Sequence, residues 1–184
     1  MDPARVLPIV AFGEGLMLVV AVVWARGAGI PLIPGPWAIG VASGVAAAVA
    51  LGATNLALMR GRRHSWPGDA LRYVCRVVVH PLFEHVSVWQ ILLVSVLAGL
   101  AEELLFRGVL QLLIGLPVAS IIFGMVHVGG RGFVGYGIWA ACIGAFFGWL
   151  MDVTGGLTAP VVAHALYDAL ALAYVRYGSA DICD

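Results

Sequence analysis

The stretch that decides the fold is Leu97-Ala-Gly-Leu-Ala-Glu102-Glu103-Leu-Leu-Phe-Arg107-Gly108, which places two adjacent glutamates inside an apolar run. Carboxylates inside a membrane span are costly, so they indicate a functional site. Glu103 and Arg107 are four residues apart and share one helix face, where the guanidinium can hold the carboxylate ionised. Glu102 points about 100° away around the helix axis. One glutamate can therefore anchor the structure while its neighbour faces a reaction site.

The composition places the chain in a membrane. Hydrophobic residues make up 62% of its 184 residues and charged residues only 11%, whereas a typical soluble domain has about 25% charged residues. The mean hydropathy is +1.01. At about 20 residues per span, this length predicts one integral membrane domain over residues 1–184. The net charge is zero, so no nucleic-acid surface is indicated.

The apolar runs predict an all-α, polytopic transmembrane bundle of about six spans, with a motif-bearing core at about 88–177. Glycine and proline clusters separate the runs. Between the second and third spans, Leu71–Val88 alternates charged and apolar residues, which predicts an amphipathic helix in the membrane interface. Small residues at four-residue spacing in Gly40–Ala48 predict close helix packing. The predicted spans are 7–25, 37–59, 88–113, 116–129, 133–152 and 158–177.

The arginines predict the orientation, because cytoplasmic loops carry the excess of positive charge. Half of them lie between the second and third spans. Placing that loop in the cytoplasm puts both termini there as well in a six-span layout, with Arg26 as the exception. Arginine without lysine is typical of a GC-rich bacterial genome, which suggests the bacterial inner membrane. The arginines of this loop are Arg60, Arg62, Arg63, Arg72 and Arg76, and its histidines His64, His80 and His85 are expected to be solvated.

The three cysteines are isolated in the sequence. Cys75, Cys142 and Cys183 form no C-x-x-C pair, which argues against a disulfide framework or a cysteine zinc site.

Two other histidines lie in or beside apolar spans, where an imidazole needs partners. Asp168, one turn beyond His164, can fix its tautomer or accept its proton, and Phe123, one turn before His127, can wall the same pocket. Separate burial of these groups would incur separate desolvation costs, so convergence on one polar pocket is favoured. The converging residues are expected to be Glu102, Glu103, Arg107, His127, His164 and Asp168.

Such a pocket suits hydrolysis. A partly desolvated Glu102 can act as a general base toward water. His127 and His164 can hold that water directly, or bind one divalent metal such as Zn²⁺ together with Glu102. No H-E-x-x-H motif is present, so a metal site would be assembled between helices. Asp168 and Arg107 would then orient other groups or stabilise an oxyanion.

The predicted spans give Glu102 and His127 different depths. Glu102 falls near mid-membrane, while His127 falls near the cytoplasmic end of the fourth span. Either the third span is strongly tilted, or the fourth continues past His127 inside a water-filled cavity open to the cytoplasm. The cavity is preferred here because hydrolysis needs water.

Three motifs resemble the signatures of the CPBP intramembrane proteases, which group CAAX-type prenyl endopeptidases with bacteriocin-processing enzymes. The motifs are Glu102-Glu103-x-x-x-Arg107, Phe123-x-x-x-His127 and His164-x-x-x-Asp168, in that order and on separate spans. The resemblance covers roughly 88–175. Three motifs in order are more specific than any one of them.

The resemblance implies peptide-bond hydrolysis within the membrane. Glu102 and His127 would activate water, His164 and Asp168 would complete the site, and Glu103 with Arg107 would support it. The family's last motif often ends in asparagine, whereas an ionised Asp168 cannot donate a hydrogen bond to an oxyanion. The chain is also shorter than eukaryotic prenyl endopeptidases, so the resemblance does not transfer their substrate.

The expected function is therefore an intramembrane endopeptidase that is glutamate-dependent and is either a metalloprotease or metal-free. Its partners would be membrane lipid and a membrane-anchored peptide or protein. A proton-coupled transporter is one alternative, because acidic residues and histidines inside spans also build relays. It would be expected to show inverted repeats, and none is evident. A non-catalytic membrane scaffold that binds peptides is the other alternative.

Overall fold

The computed structural model describes residues 3–61, 65–178 and 183, and these residues are all helix and loop. The predicted all-α bundle is confirmed. Arg62, Arg63 and His64 lie outside the described residues, so the predictions that used them stay predictions. In chain order the elements are α1 Pro3–Gly27, α2 Trp37–Arg60, α3 Trp66–Val74, a π-helix Cys75–Val79, α4 His80–Phe83, α5 Val88–Glu103, a π-helix Leu104–Leu110, α6 Gln111–Ile114, α7 Leu116–Val126, a 3₁₀ turn Arg131–Phe133, α8 Val134–Thr154 and α9 Thr158–Tyr177.

Within the described residues, five helices are long and apolar enough to cross a membrane: α1, α2, the continuous α5–α6, α8 and α9. The predicted fourth span, 116–129, is too short. Its helix, α7, has 11 residues, or about 16 Å of rise, against about 30 Å of hydrocarbon. The helix ends because the chain enters a turn at Gly129-Gly130, where Gly130 has a φ of +151°, which glycine adopts most readily. The prediction of six full spans is therefore corrected to five.

The short α7 also resolves the expected difference in depth. Because α7 ends at Val126, the next residue, His127, lies inside the bundle at the depth of Glu102. The side-chain atoms Nε2 of His127 and Oε2 of Glu102 lie 3.9 Å apart. The two residues therefore meet even though the chain segment that bears His127 does not cross the membrane as one helix.

The helix directions bring several helix termini to one end of the bundle. At the end of α2, Arg60 donates a hydrogen bond to the hydroxyl of Tyr174 near the end of α9. Arg176 Nε donates to the carbonyl of Val86, just before α5, over 3.3 Å. Leu7, near the start of α1, shares a buried cluster with Val86. The start of α1, the end of α9 and residue 86 before α5 thus lie at the same end of the bundle. The side of the membrane that this end faces stays a prediction.

The predicted amphipathic helix at Leu71–Val88 begins and ends about five residues earlier. α3, the first π-helix and α4 form one continuous helical stretch. Ser65 caps its first turn by accepting the N–H of Gly68 over 3.4 Å, as an N-cap serine does. Arg72 then fastens the stretch to α2 by donating to the carbonyl of Met59 over 2.8 Å.

The small residues predicted to mediate packing do so between α2 and α9. A Cβ on Gly40 would lie 2.7 Å from Thr158 Cβ, and one on Gly44 would lie 2.7 Å from the carbonyl oxygen of Ala159. Both distances are shorter than any ordinary carbon contact, so only glycine allows this approach. Beside this contact lies a buried cluster that includes Phe147 of α8 and Ala163 of α9.

The expectation that the cysteines are unpaired is wrong for two of them. Cys75 and Cys183 form a disulfide across 108 residues of sequence, with Cα atoms 5.3 Å apart. Their separation hid the pairing, because residues so far apart in sequence meet only in the folded chain. Cys142 is a free, exposed thiol.

Candidate active site

The centre of the site is the carboxylate of Glu102, on the last turn of α5. Its Oε2 atom lies 3.9 Å from Nε2 of His127 and 4.0 Å from Nε2 of His164. The same oxygen is buried and has no hydrogen-bond partner among the described residues. Two atoms that each hydrogen-bond to the same water at about 2.8 Å can lie up to about 5.6 Å apart, so both separations are within the reach of one bridging water.

Glu103, the neighbouring glutamate, joins two elements. Its Oε1 atom lies 3.1 Å from Arg107 Nη1 and 2.7 Å from His164 Nδ1. The Glu103 side chain is fully buried, whereas that of Glu102 is 13% exposed. Glu102 is therefore the more accessible of the two glutamates, and Glu103 is placed to hold other residues in position.

The guanidinium of Arg107 is buried together with the Glu103 carboxylate. Its Nη2 atom donates to the backbone carbonyl of Gly144 over 3.0 Å. Its central carbon lies 4.3 Å from the centre of the Phe123 ring, a distance at which a cation–π interaction stabilises the pair. Arg107 thus ties the π-helix that follows α5 to both α7 and α8.

His127 is oriented by its own helix. Its Nδ1 atom lies 2.7 Å from the carbonyl oxygen of Phe123. A carbonyl only accepts, so Nδ1 carries the proton, and in the neutral ring Nε2 is left as an acceptor facing Glu102. The Phe123 ring packs against His127 at 4.6 Å and against His164 at 6.2 Å between ring centres. Phe123 therefore walls the pocket as predicted.

His164 and Asp168 complete the group on α9. His164 Nε2 lies 3.5 Å from Asp168 Oδ2, which is longer than a good hydrogen bond. The sequence predicted that Asp168 would fix the His164 tautomer, but the close partner of Nδ1 is Glu103. Asp168 lies on the more exposed side, with 28% of its side chain accessible. The structure thus brings all six predicted residues together, while their catalytic roles remain a proposal.

Sequence reasoning missed two residues that face this group. Glu14 of α1 interacts electrostatically with Glu102, His164 and Asp168, and its Oε2 is buried without a hydrogen-bond partner among the described residues. An acidic residue inside the first apolar run was the available signal, by the same rule that identified Glu102. Tyr136 of α8 packs against His127 at 5.9 Å between ring centres. Nothing in its sequence context marked it.

The possible metal ligands Glu102, His127 and His164 are not spaced as zinc ligands are. No group of three or more His, Cys, Asp or Glu side chains within 3–61, 65–178 and 183 is arranged to hold a metal ion. Tetrahedral zinc ligands at about 2.1 Å from the metal lie about 3.4 Å from one another, closer than the 3.9 and 4.0 Å measured from Glu102 to the two imidazoles. We therefore derive no step through a metal, and the metal site stays a prediction.

The histidines of the 61–87 connection that the structure describes lie away from this group. His80 Nδ1 and His85 Nε2 are 3.4 and 3.5 Å from the carboxylate of Glu84. The His85 side chain is 75% exposed, as the expectation of a solvated histidine requires.

Comparison with known proteins identifies the part of the chain that carries the site. Residues 84–170 match the model of a family described as type II CAAX prenyl endopeptidase Rce1-like. The match contains all three motifs, from Glu102 to Asp168. The match supports the resemblance to the CPBP proteases that the three motifs indicate.

A curated relative supports this resemblance. The chain is 35% identical over 96 residues to "Uncharacterized protein YpbD" of Bacillus subtilis (strain 168), which covers 52% of this chain and 51% of the relative. The chain therefore spans about half the length of the curated relative that it matches. No solved structure matches the chain. Helices α1 and α2 lie outside the Rce1-like match, so Glu14 belongs to a part of the chain that the family description does not cover.

Proposed function

We propose that the protein is an intramembrane endopeptidase that hydrolyses a peptide bond with a water activated by Glu102. The observation that carries this proposal is the placement of the Glu102 carboxylate between the Nε2 atoms of His127 and His164, at 3.9 and 4.0 Å. A carboxylate with two imidazoles around one water position supplies a base and two orienting groups for hydrolysis.

The reaction can be written from these positions. Glu102 takes one proton from water, and the water oxygen bonds to the carbonyl carbon of the peptide. The carbonyl π electrons move to its oxygen, which forms a tetrahedral oxyanion. When the C=O bond re-forms, the C–N bond breaks, and the leaving nitrogen takes the proton from Glu102. The products are a carboxylic acid and an amine, and Glu102 returns to its ionised state.

The surrounding residues position this reaction. Nε2 of the neutral His127 ring is an acceptor, because Nδ1–H donates a hydrogen bond to the Phe123 carbonyl. His164 is oriented by Glu103, which is in turn held by Arg107. We assign Glu103 and Arg107 as positioning residues because both are buried away from the more exposed side of Glu102. Fixed orientation of the base and the water lowers the entropic cost of reaching the transition state.

The proposed substrate is a membrane-anchored peptide or protein cut near the membrane on the cytoplasmic side, in the bacterial inner membrane. Arg60, Arg72 and Arg176 lie at the same end of the bundle as the start of α1. By the positive-inside rule this end is cytoplasmic. Lipid would surround the apolar outer faces of the five long helices.

The test uses purified wild type, Glu102→Gln and the control Glu84→Gln in lipid vesicles. The probes are a farnesylated peptide with a CAAX terminus and a panel of single-span peptides, with new termini identified by mass spectrometry. Wild type and Glu84→Gln should yield a cleavage product. Glu102→Gln should bind the probe but not cleave it, because glutamine cannot accept the water proton.

Two outcomes would contradict the proposal. Wild-type cleavage by Glu102→Gln would show that another group is the base. No new terminus from any probe with the wild type would count against peptidase activity. Metal analysis of the same preparations, with and without a chelator, tests the metal prediction separately.

A further inference from the structure

The proposed hydrolysis requires a hydrogen-bond donor for the oxyanion that forms on the substrate carbonyl. Asp168 occupies the position nearest His164 on the exposed side of the site, but an ionised carboxylate only accepts hydrogen bonds. The Arg107 guanidinium is directed to Glu103 and to the Gly144 carbonyl. A donor that is fixed before the reaction contributes most to such a transition state. Another side chain must therefore supply this hydrogen-bond donor.

The Nδ1 protons of both histidines are already engaged. His127 Nδ1–H donates a hydrogen bond to the Phe123 carbonyl, and Nδ1 of His164 is hydrogen-bonded to Glu103. Their Nε2 atoms face Glu102 and the water position. In the neutral ring Nε2 of His127 is an acceptor. Nε2 of His164 faces the carboxylates of Glu102 and Asp168 at 4.0 and 3.5 Å, so a proton on it is directed toward them.

Tyr136 has the required chemistry and position. It lies on the first turn of α8 with a half-buried side chain, and the edge of its ring meets the ring of His127 at 5.9 Å. Tyr136 interacts electrostatically with both Glu102 and Asp168. Among the described residues, its hydroxyl has no hydrogen-bond partner, so its proton is available to a ligand.

We propose that Tyr136 is a catalytic residue whose hydroxyl donates a hydrogen bond to the substrate carbonyl oxygen as it becomes an oxyanion. This inference rests on the proposed function. It assigns the donor role to α8, outside the three motifs, in a chain whose third motif ends in aspartate.

A second tyrosine distinguishes this role from general polarity. Tyr167 of α9 is the residue before Asp168. Its hydroxyl oxygen accepts a hydrogen bond from Asn55 of α2. The Tyr167 hydroxyl is thus held by α2, and we assign it no contact with substrate.

The experiment compares wild type with Tyr136→Phe, Tyr167→Phe and the control Tyr177→Phe, which lies on the exposed end of α9. The substrate is the peptide of the vesicle panel that the wild type cleaves fastest. We expect Tyr136→Phe to lower kcat by about 100-fold or more, the size of effect seen when one oxyanion donor is removed. KM and the thermal unfolding temperature should stay near the wild-type values. Tyr167→Phe should change kcat far less, and Tyr177→Phe not at all.

A second variant separates donation from packing. Asp168→Asn introduces an amide N–H beside the same site, so the double variant Tyr136→Phe/Asp168→Asn should recover part of the lost kcat. A merely structural role for the Tyr136 hydroxyl would instead lower the unfolding temperature and give no recovery.

The outcomes distinguish the two proposals. No cleavage by the wild type would contradict the peptidase proposal, and the role of Tyr136 would be withdrawn with it. Cleavage by the wild type, with kcat of Tyr136→Phe within about two-fold, would overturn the Tyr136 assignment alone. A rise in KM with unchanged kcat would also overturn it, because an oxyanion donor acts in the transition state and not in substrate binding.

Discussion

Glu103 Oε1 lies 2.7 Å from His164 Nδ1, so a buried carboxylate of α5 fixes the orientation of an imidazole on α9. The same oxygen is 3.1 Å from Arg107 Nη1. Of the two adjacent glutamates, Glu103 is therefore the one built into the scaffold. Its neighbour Glu102, one position earlier, is the more exposed of the two.

Glu103→Gln should weaken both the fold and the reaction. Glutamine keeps one acceptor oxygen but removes the charge that neutralises Arg107, so the free energy of unfolding should fall by about 1–3 kcal/mol. Because His164 loses its charged partner, kcat should fall as well. Thermal unfolding in detergent and the cleavage assay measure the two effects, with Glu84→Gln as the matched exposed control. An unchanged unfolding temperature would show that the charge of Glu103 is not needed.

Arg107→Leu should be more damaging than Glu103→Gln. It leaves the fully buried Glu103 carboxylate without its cation, which typically destabilises a protein by about 3–5 kcal/mol. Arg76→Leu, at an exposed position on the first π-helix, serves as the control. Normal thermal stability of Arg107→Leu would contradict the buried ion pair.

Gly144→Ala and Gly52→Ala should shift stability in opposite directions. A Cβ on Gly144 would lie 3.0 Å from Arg107 Nη2 and 3.0 Å from Phe123 Cδ1, whereas one on Gly52 has no heavy atom within 4 Å. Overpacking in a buried contact typically costs about 1–3 kcal/mol, while Gly→Ala inside a helix stabilises by about 0.5–1 kcal/mol. Denaturation of both variants in one detergent gives the comparison. Stabilisation by Gly144→Ala would mean that Arg107 and Phe123 are not packed against α8.

Glu14→Gln should raise the unfolding temperature. The buried Oε2 of Glu14 has no hydrogen-bond partner among the described residues, and the carboxylates of Glu102 and Asp168 act on it electrostatically. A neutral amide removes that repulsion. A gain of about 1 kcal/mol corresponds to a rise of about 2–4 °C for a chain of this size. The measurement is a thermal melt beside Glu84→Gln. A lower unfolding temperature for Glu14→Gln would show that the carboxylate has a stabilising partner.

The sequence by itself determined that the chain lies in a membrane, that it is helical, and which residues form most of the site. Apolar runs of about 20 residues dictate membrane helices because the bilayer leaves unpaired backbone groups no other partner. The pairing of Glu103 with Arg107 was also readable, because a spacing of four residues is a local property of a helix. Small residues at Gly40 and Gly44 predicted close packing for the same local reason.

Tertiary structure decided what depends on where separate helices cross. Glu103 and His164 are 61 residues apart. No local pattern could show that Glu103, not Asp168, is the hydrogen-bond partner of His164 Nδ1. The placement of His127 beside Glu102 depends on how α7 packs in the bundle, although the turn that ends α7 is local. Tyr136 and Glu14 join the site, and Cys75 meets Cys183, only because helix packing brings together groups that the chain separates. Sequence spacing fixes contacts within one helix, whereas contacts between helices depend on their crossing angles and relative depth, which the summed packing of all the helices determines.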